Sequence, residues 1–400
     1  MANSGGAAIA AMRHCEAMRC AGIDAQMLSR FGDDNEFTTI YNPIRENIVF
    51  AGLKKKILHR LNRLIVKKTA WHWGTTDIDI SHLKLVKDAD IIYIHWVNDF
   101  LGYRAISELL KMNKPVIWYM HDMWPVTGGC HYSFSCKKYE SGCKGCPQMK
   151  ALRYLTSYVL SKKMIAWQKY NNFIPAAPSL WLTECIHNSA LFQNRRAYNI
   201  PNVINTDVYY PKDKIEIRKE IRIPANNKYV IVSAMGFNNP FKGMAYIIKA
   251  MLELAATDIE YIVVGKCKLT DFPKELHQKL HLMGLIKNQR DMVNLYNSAD
   301  ALIITSLAEN FPNVVIEAMS CGIPVVGFAT GGIKDQIIHK KNGWLTEPKN
   351  TAGLVEGVRW VFENSNYKEL SDTARQTVID RYSYQKVLDI HKPIFDLVRK

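Results

Sequence analysis

The chain has 400 residues, of which 48% are hydrophobic and 22% charged, and its formal net charge is +15. These values fit a folded protein of about two domains and exclude a largely disordered chain. The excess of positive charge predicts an acidic partner, namely nucleic acid, an anionic membrane surface or a phosphorylated substrate.

The first predicted element is a helix that starts directly after a glycine pair, Gly5 and Gly6. A glycine loop before a helix lets backbone amides approach a phosphate, so both glycines are candidate binding residues. Such a loop normally follows a strand, and none is predicted before it. The N-terminus lacks a signal-peptide pattern and no apolar run is long enough to span a membrane, so we expect a cytoplasmic protein.

Residues 54–68 contain seven Lys and Arg and no acid, and apolar positions fall on one predicted helical face: Ile57, Leu58, Leu61, Leu64 and Ile65. This pattern predicts a helix lying in an anionic membrane surface. The alternative is a helix that packs on a sheet and exposes a solvated basic face. A second basic and aromatic stretch, 150–169, favours the membrane. Nucleic acid is not expected, because no DNA- or RNA-binding signature accompanies the charge.

Short apolar runs alternate with helical patterns along the chain, which predicts parallel sheets wrapped by helices. The predicted strands are 90–96, 115–120 and 173–177 in the first half, and 228–234, 260–265, 301–305 and 324–328 in the second. The proline-marked stretch 200–205 suits a linker. We therefore predict domains at 1–204 and 205–379. An amphipathic helix over 380–400 either closes the second domain or crosses back to complete the first.

Four cysteines follow the second predicted strand, in the segment 130–146: Cys130, Cys136, Cys143 and Cys146. They supply enough soft ligands for a tetrahedral, structural zinc site. The first pair is too widely spaced for a common zinc ribbon, so buried, reduced thiols are the alternative.

Two glutamates separated by seven residues follow the strand 301–305, with Glu309 in a loop and Glu317 in the first turns of a helix. Ligands of open parallel sheets bind at this edge, where loop amides and the positive end of a helix attract anions. An anionic diphosphate fits there. The alternative is a capping residue at Glu309 and a helix-surface acid at Glu317.

This segment, with 320–326 and 329–332 after it, resembles the donor-site signature of the family 4 glycosyltransferases. The similarity extends to 201–202, Asp207, 242–243, 295–300 and 342–344. The family consists of retaining enzymes with the GT-B fold. The resemblance therefore implies an α/β protein whose two Rossmann-like, doubly wound domains face a central cleft, with the acceptor side in the first domain and the nucleotide sugar in the second.

The resemblance also implies roles for individual residues. Glu317 would accept hydrogen bonds from the ribose, Glu309 would contact the transferred sugar, and Lys242 would meet the diphosphate. Four further residues of the loop that contains Glu309 complete the predicted donor-binding set: Asn310, Phe311, Pro312 and Asn313. Many relatives carry an arginine about five residues before the lysine, where this chain has Phe237 and Asn238.

In the first domain, His121 resembles the family histidine that lines the donor sugar near the reacting carbon. His95, Trp96 and Asp122 are acceptor-side candidates, because His95 and Trp96 are similar to a motif of a polysaccharide-building subgroup. A subgroup of polysaccharide and lipopolysaccharide enzymes carries a similar cysteine-rich insert after the His–Asp motif.

The prediction is a retaining, metal-independent glycosyltransferase that needs no cofactor for its chemistry. It would move a sugar from a nucleotide diphosphate to a saccharide, expected to be lipid-linked, on the inner face of a bacterial membrane in surface polysaccharide assembly. Two alternative functions stay open. A nucleotide-sugar epimerase of the same fold would need further acidic and histidine groups at the sugar. A non-catalytic lipid- or metal-binding relative is suggested by the absent first strand and arginine.

Overall fold

The computed structural model describes residues 5–43, 57, 60–61, 64–67, 71–74, 76–193, 195–233 and 237–398. The chain divides into two compact units. The first unit consists of Met1–Pro201 together with Leu388–Lys400, and the second unit is Asn202–Val387. The boundary between them lies a few residues before the position near 205 that the linker pattern predicts.

The first unit is built on a parallel sheet with the strand order β3-β4-β5-β6. Its strands are β3 (Ile92–Ile94), β4 (Val116–Tyr119), β5 (Phe173–Ala177) and β6 (Tyr198–Asn199). All four residues of β4 are buried, as expected for a central strand covered on both faces. Two further short strands, β1 (Met27–Ser29) and β2 (Thr38–Ile40), pair with each other in parallel. The three strands predicted for this half are confirmed, whereas β1, β2 and β6 were not predicted.

The helices of the first unit cover this sheet. They are α1 (Gly6–Cys20), α2 (Lys84–Asp88), α3 (Tyr103–Lys111), α4 (Leu155–Trp167) and α5 (Leu180–Asn188). Ile106 and Leu109 of α3 and Trp167 of α4 are fully buried in one apolar cluster with Trp118 of β4. Ser179 caps α5, since its side chain accepts a hydrogen bond from the Leu182 amide at 3.0 Å.

The second unit has a parallel sheet with the order β12-β11-β10-β7-β8-β9. Its strands are β7 (Lys228–Ser233), β8 (Ile259–Val264), β9 (Leu280–Gly284), β10 (Ala301–Ile304), β11 (Val325–Phe328) and β12 (Gly343–Thr346). Numbered within the unit, this is the Rossmann order 6-5-4-1-2-3, whose topological switch point lies between β7 and β10. The four strands predicted here are confirmed, and the edge strands β9 and β12 are additional.

The helices of the second unit are α6 (Lys214–Glu220), α7 (Met244–Glu253), α8 (Gln289–Ser298), α9 (Asn313–Ser320), α10 (Ile333–Gln336), α11 (Thr351–Glu363) and α12 (Tyr367–Tyr382). The last helix is α13 (Val387–Val398). One apolar cluster combines strand residues such as Ile231 and Leu302 with Ile316 of α9 and Val378 of α12. A second cluster combines Val230 and Val263 with residues of α7 and α11.

The helix predicted over 380–400 is present but starts later, at Val387. Helix α12 ends at Tyr382, because Ser383 adopts an extended conformation and forms a parallel β-bridge with Ile204. A short 3-10 turn, Tyr384–Lys386, then leads into α13. Most of α13 belongs to the first unit, where Ile394 is fully buried against Ile117 and Tyr119.

Among the residues that the structure describes, no helix is long and apolar enough to cross a membrane.

Candidate active site

The loops that follow β7 and β10 are joined at the switch point of the second unit. The amide of Leu307 donates to the carbonyl of Phe241 at 2.7 Å. The Thr305 hydroxyl lies 3.1 and 3.0 Å from the carbonyl oxygens of Lys242 and Gly243. Gly243 has a φ of 70°, and a Cβ atom there would lie 2.1 Å from the Thr305 carbonyl oxygen. The close approach of these two loops therefore requires glycine at this position.

Lys242 and Glu309 meet at this junction. The Lys242 Nζ lies 2.6 Å from Glu309 Oε2, and the Ser306 hydroxyl lies 3.3 Å from the same oxygen. The lysine side chain is 42% exposed, whereas the glutamate is only 13% exposed. An ammonium group that is half open to solvent and held by one carboxylate can turn toward an anionic ligand. The two residues lie 67 positions apart in the sequence, so the fold creates this pair.

Glu317 lies on α9, which starts at the end of the same loop. It is 7% exposed between apolar neighbours, and the Tyr296 hydroxyl donates to its Oε2 at 2.7 Å. Burial and the adjacent carboxylate raise the pKa of Tyr296 well above its usual value, so the phenol keeps its proton and stays a donor. A buried carboxylate of this kind needs hydrogen-bond partners, and Tyr296 supplies one; ribose binding by Glu317 stays a prediction.

The loop between β10 and α9 is fixed from both sides. The Asn202 amide donates to the carbonyl of Phe311 at 3.2 Å and to Asn313 Oδ1 at 2.9 Å. The Gln336 amide donates to the carbonyl of Pro312 at 3.2 Å. Asn310 and Phe311 are buried. The predicted donor-site residues of this unit are thus brought together, and Tyr296, Ser306 and Asn202 join them as residues that the sequence-based site had not included.

Gly5 and Gly6 stand at the start of α1 in the first unit. Gly5 has a φ of 93° and precedes the first helical residue, and both glycines are exposed. Apart from its chain neighbours, no residue that the structure describes would lie within 4 Å of a Cβ at Gly5, so the backbone conformation is what favours glycine there. The helix start that the sequence predicts is confirmed, whereas phosphate binding there stays a prediction.

His121 follows β4 and contacts His95, which follows β3. His121 Nε2 lies 3.0 Å from His95 Nδ1, and the two rings stack with their planes 30° apart. Burial lowers the pKa of His121 to about 4, and burial also lowers the pKa of His95 well below its usual value. Both imidazoles are therefore neutral near pH 7, which suits a residue that positions a sugar better than one that supplies a permanent charge.

Two tyrosines and two further histidines of the same unit are joined to one another by hydrogen bonds. Tyr93 Oη lies 2.9 Å from His391 Nδ1, and His391 Nε2 lies 3.3 Å from His14 Nδ1. His14 Nε2 lies 3.2 Å from Tyr119 Oη, and the Tyr119 hydroxyl donates to the carbonyl of Ile200 at 2.7 Å. We call these four hydrogen bonds the ring chain.

Trp96 and Asp122 also come together. The Trp96 indole nitrogen donates to Asp122 Oδ2 at 3.1 Å, and the Trp124 amide donates to Asp122 Oδ1 at 2.8 Å. The indole of Trp96 is nevertheless 42% exposed. Burial acts to raise the pKa of Asp122, but contact with His131 and the Trp124 amide outweigh it, so the pKa lies below its usual value and the carboxylate is charged.

The four cysteines line one small cavity, which Thr127 and Lys138 also border. Burial raises the pKa of Cys130 to about 12 and that of Cys143 to about 11, so both thiols are protonated. Within the described ranges, no group of three or more His, Cys, Asp or Glu side chains is arranged to hold a metal ion. The four cysteines thus lie together, and both hypotheses, a structural zinc site and thiols without metal, stay predictions.

Part of the predicted basic helix 54–68 lies outside the described residues, which include only 57, 60–61 and 64–67 of it. Ile57, Leu61 and Leu64 are 51%, 42% and 66% exposed. Ile65 differs from the predicted membrane-facing set, because it is buried beside Val159 of α4. On α4 and just before it, Tyr154, Tyr158 and Ile165 are exposed.

The sequence and the fold match known proteins. A family profile, "Glycosyl transferases group 1", matches residues 213–377. N-acetyl-alpha-D-glucosaminyl L-malate synthase of Bacillus anthracis is 25% identical over 52% of this chain and 55% of its own length. An uncharacterized glycosyltransferase of Methanocaldococcus jannaschii is 26% identical over 74% of this chain and 73% of its own length. A lipopolysaccharide 1,2-N-acetylglucosaminetransferase of Salmonella typhimurium is 24% identical over 47% of this chain and 53% of its own length.

Among solved structures, Anabaena HepE in complex with UDP-glucose superposes with a TM-score of 0.63, at 17% identity, over 99% of this chain and 97% of that chain. The likeness in structure identifies the GT-B architecture. The chain spans only about half the length of two of the three relatives named above.

Proposed function

We propose that the chain is a group 1 glycosyltransferase, whose profile matches residues 213–377. It transfers a sugar from a nucleotide-diphosphate donor to a saccharide, with retention of anomeric configuration and without a metal ion in the chemistry. The observation that carries this proposal is the convergence of Lys242, Glu309 and Glu317 at the switch point of a Rossmann sheet. Nucleotides bind open parallel sheets at such a point.

On the donor side, each group has a role that its surroundings favour. Glu317 accepts hydrogen bonds from the ribose hydroxyls, because it is a buried carboxylate on the helix that follows the loop. Lys242 leaves Glu309 to contact the diphosphate, and the amides of Asn310 and Phe311 lie beside it. Glu309 then contacts the transferred sugar. Catalysis comes from holding the reactants in register and from stabilising the departing diphosphate.

On the acceptor side, we propose a lipid-linked saccharide in bacterial surface polysaccharide assembly. A relative that acts on lipopolysaccharide supports this class of acceptor. The net charge of +15 and the exposed apolar residues of the first unit support a peripheral position on an anionic membrane surface. His121 positions the donor sugar as a neutral imidazole.

The donor site is tested by thermal shift with UDP-, GDP-, ADP- and dTDP-linked sugars. We expect one nucleotide series to raise the Tm of the wild type, and we expect Glu317→Gln to lose most of that increase while its unliganded Tm shows that it folds. Glu356→Ala, on the exposed face of α11, is the control and should respond like the wild type. A wild type that no nucleotide stabilises, or a Glu317→Gln variant with an unchanged response, would show that the donor site is assigned wrongly.

A further inference from the structure

Gln336 is a fully buried amide that contacts the loop between β10 and α9, residues 305–312, which we call the donor loop. It is the last residue of α10, and its exposed fraction is 0%. Its Nε2 donates to the carbonyl of Pro312 at 3.2 Å, from 24 positions away. Its Oε1 is also buried, and no group in the part of the chain that the structure describes bonds to it. The hydrogen bond of this side chain is thus made to the donor loop.

The turn that carries Gln336 holds the donor loop at two points. The Gly332 amide donates to the carbonyl of Glu309 at 3.4 Å, and Gln336 holds the carbonyl of Pro312. The backbone carbonyl of Gln336 in turn accepts from the Asn342 side chain at 3.3 Å, so the turn is itself fixed. One turn therefore restrains both the residue predicted to contact the sugar and the residue that precedes α9.

The hydrogen bond from Gln336 also sets the orientation of the first peptide of α9. The described residues contain no cis peptide bond, and in a trans peptide the N–H points opposite to the C=O. Holding the Pro312 carbonyl therefore fixes the direction of the Asn313 amide, which is the first amide of the helix. Amides at the start of a helix attract anions, and this helix follows the loop at which we propose that a diphosphate binds.

Folding alone does not require an amide at position 336. A buried polar atom without a partner disfavours the folded state, and an apolar side chain of similar length avoids that penalty. The Pro312 carbonyl would keep a partner without Gln336, because it also accepts from the Val315 amide at 3.2 Å. Methionine should therefore serve folding at least as well as glutamine. The contribution of the amide lies in the conformation of the donor loop.

We propose that Gln336 is a positioning residue of the donor site. Its Nε2 holds the donor loop in the conformation that binds the nucleotide diphosphate, and it acts only through the Pro312 carbonyl, since the side chain itself is not exposed to a ligand. This role rests on the proposed donor site for its meaning in glycosyl transfer. Its effect on the donor loop can nevertheless be measured without any ligand.

Gln336→Met removes the hydrogen-bond donor and keeps the length of the side chain. We expect its unliganded Tm to equal or exceed that of the wild type. Hydrogen exchange of the donor-loop amides, followed by mass spectrometry, should become at least tenfold faster. Affinity for the nucleotide sugar that stabilises the wild type should fall at least tenfold in a thermal-shift titration. A glutamine that serves only folding would give the opposite result, with a lower Tm and an unchanged affinity.

Gln336→Glu gives a readout that packing cannot produce. A protonated carboxyl group can donate to the Pro312 carbonyl as the amide does, whereas a carboxylate can only accept. Burial favours the protonated form, so a series from pH 5 to pH 9 should convert one form into the other. We expect the affinity of this variant, divided by that of the wild type at the same pH, to be near one at low pH. The same ratio should fall at least tenfold at high pH.

Two controls accompany this pH series. For Gln336→Met the affinity ratio should be low and constant, because no group at this position titrates. Gln278→Glu adds the same charge at an exposed position just before β9, at the opposite edge of the parallel sheet from the donor loop. This variant should follow the wild type at every pH.

The role of Gln336 is ruled out if Gln336→Met exchanges and binds like the wild type, or if the affinity ratio of Gln336→Glu does not change with pH. Failure of the proposed donor site looks different. In that case no nucleotide sugar stabilises the wild type, and faster exchange in Gln336→Met still shows that Gln336 holds the loop.

Discussion

The ring chain of the first unit runs in one direction. Tyr119 gives its hydroxyl hydrogen to Ile200, so its oxygen accepts from His14 Nε2. His14 Nδ1 then accepts from His391 Nε2, and His391 Nδ1 accepts from Tyr93. Both histidines are neutral in this arrangement. An added proton on His391 would lie between two donor hydrogens or displace the hydrogen that Tyr93 donates, so the ring chain disfavours a charged His391.

This arrangement predicts acid sensitivity. Burial lowers the pKa of His391 to about 3 and that of His14 well below its usual value. The unfolded chain takes up a proton at each histidine below about pH 6.5 while the folded chain does not. The free energy of unfolding is therefore fully retained above that pH. It falls as the pH drops toward 3, by up to about 1.4 kcal/mol per pH unit for each such histidine.

Urea unfolding at pH 7.5, 6.5, 5.5 and 4.5, followed by tryptophan fluorescence, measures this slope. We expect His391→Leu to reduce the slope of the unfolding free energy against pH by up to about 1.4 kcal/mol per pH unit, which corresponds to one proton. This expectation holds whatever the substitution does to the stability at pH 7.5. His187→Gln, on the exposed side of α5, is the control and should keep the wild-type slope. Equal slopes for His391→Leu and the wild type would mean that His391 is protonated in the folded protein.

Site residues differ in how far the sequence could identify them. Glu309 and Glu317 follow a strand at a short spacing, so their place at a ligand edge could be predicted locally. Tyr296 could not be identified in this way, because in the sequence it is one of several residues of a helix, and its contact with Glu317 depends on how α8 and α9 pack.

At the scale of elements, the predicted strands are mostly buried ones; the edge strand β3, with only Ile94 buried, is the exception. β7 and β10 are continuous apolar runs because both of their faces are covered. The strands that escaped prediction are edge strands, such as β9 and β12, or two to three residues long, such as β1 and β6. Only the start of the helix predicted over 380–400 is wrong, because residues up to Tyr382 belong to α12 and Ser383 forms the bridge to Ile204 before α13 begins.

The junction of the β7 and β10 loops depends on Gly243, and the chain offers a matched control. Gly243 and Gly284 have nearly equal φ values of 70° and 67°, but a Cβ at Gly284 would have no atom of the described part of the chain within 4 Å. Gly284→Ala should therefore cost only the conformational strain, about 1 kcal/mol. Gly243→Ala adds a collision with the Thr305 carbonyl and should cost about 3 kcal/mol or more.

Urea unfolding of the two variants measures the difference between their free energies of unfolding. The nucleotide-induced rise in Tm then shows whether each variant keeps the donor site. We expect Gly243→Ala to lose that rise, because Lys242 and Glu309 can no longer meet, and Gly284→Ala to keep it. Similar free energies of unfolding for both variants would mean that the two loops can move apart at little cost.

At the scale of the whole molecule, the positive charge is unevenly distributed along the chain. Residues 141–183 contain six Lys and Arg and no acid, and 47–76 likewise contain no acid. The exposed side of α4 and its preceding residues combines basic side chains with Tyr154, Tyr158 and Ile165, which are 64%, 57% and 73% exposed. Aromatic and basic residues together are typical of surfaces that enter the headgroup region of a membrane.

We therefore predict binding to vesicles that contain phosphatidylglycerol, weak binding to pure phosphatidylcholine vesicles, and loss of binding as salt is raised. Each exposed basic residue near the surface contributes about 1 kcal/mol, so Arg153→Gln with Lys169→Gln should weaken binding roughly 30-fold. Lys84→Gln with Lys111→Gln removes the same charge from the same unit, but those lysines already pair with Asp88 and Glu108. Vesicle co-sedimentation should separate the two double variants. If both weaken binding equally, net charge alone attracts the protein to the membrane and the surface around α4 has no special part in it.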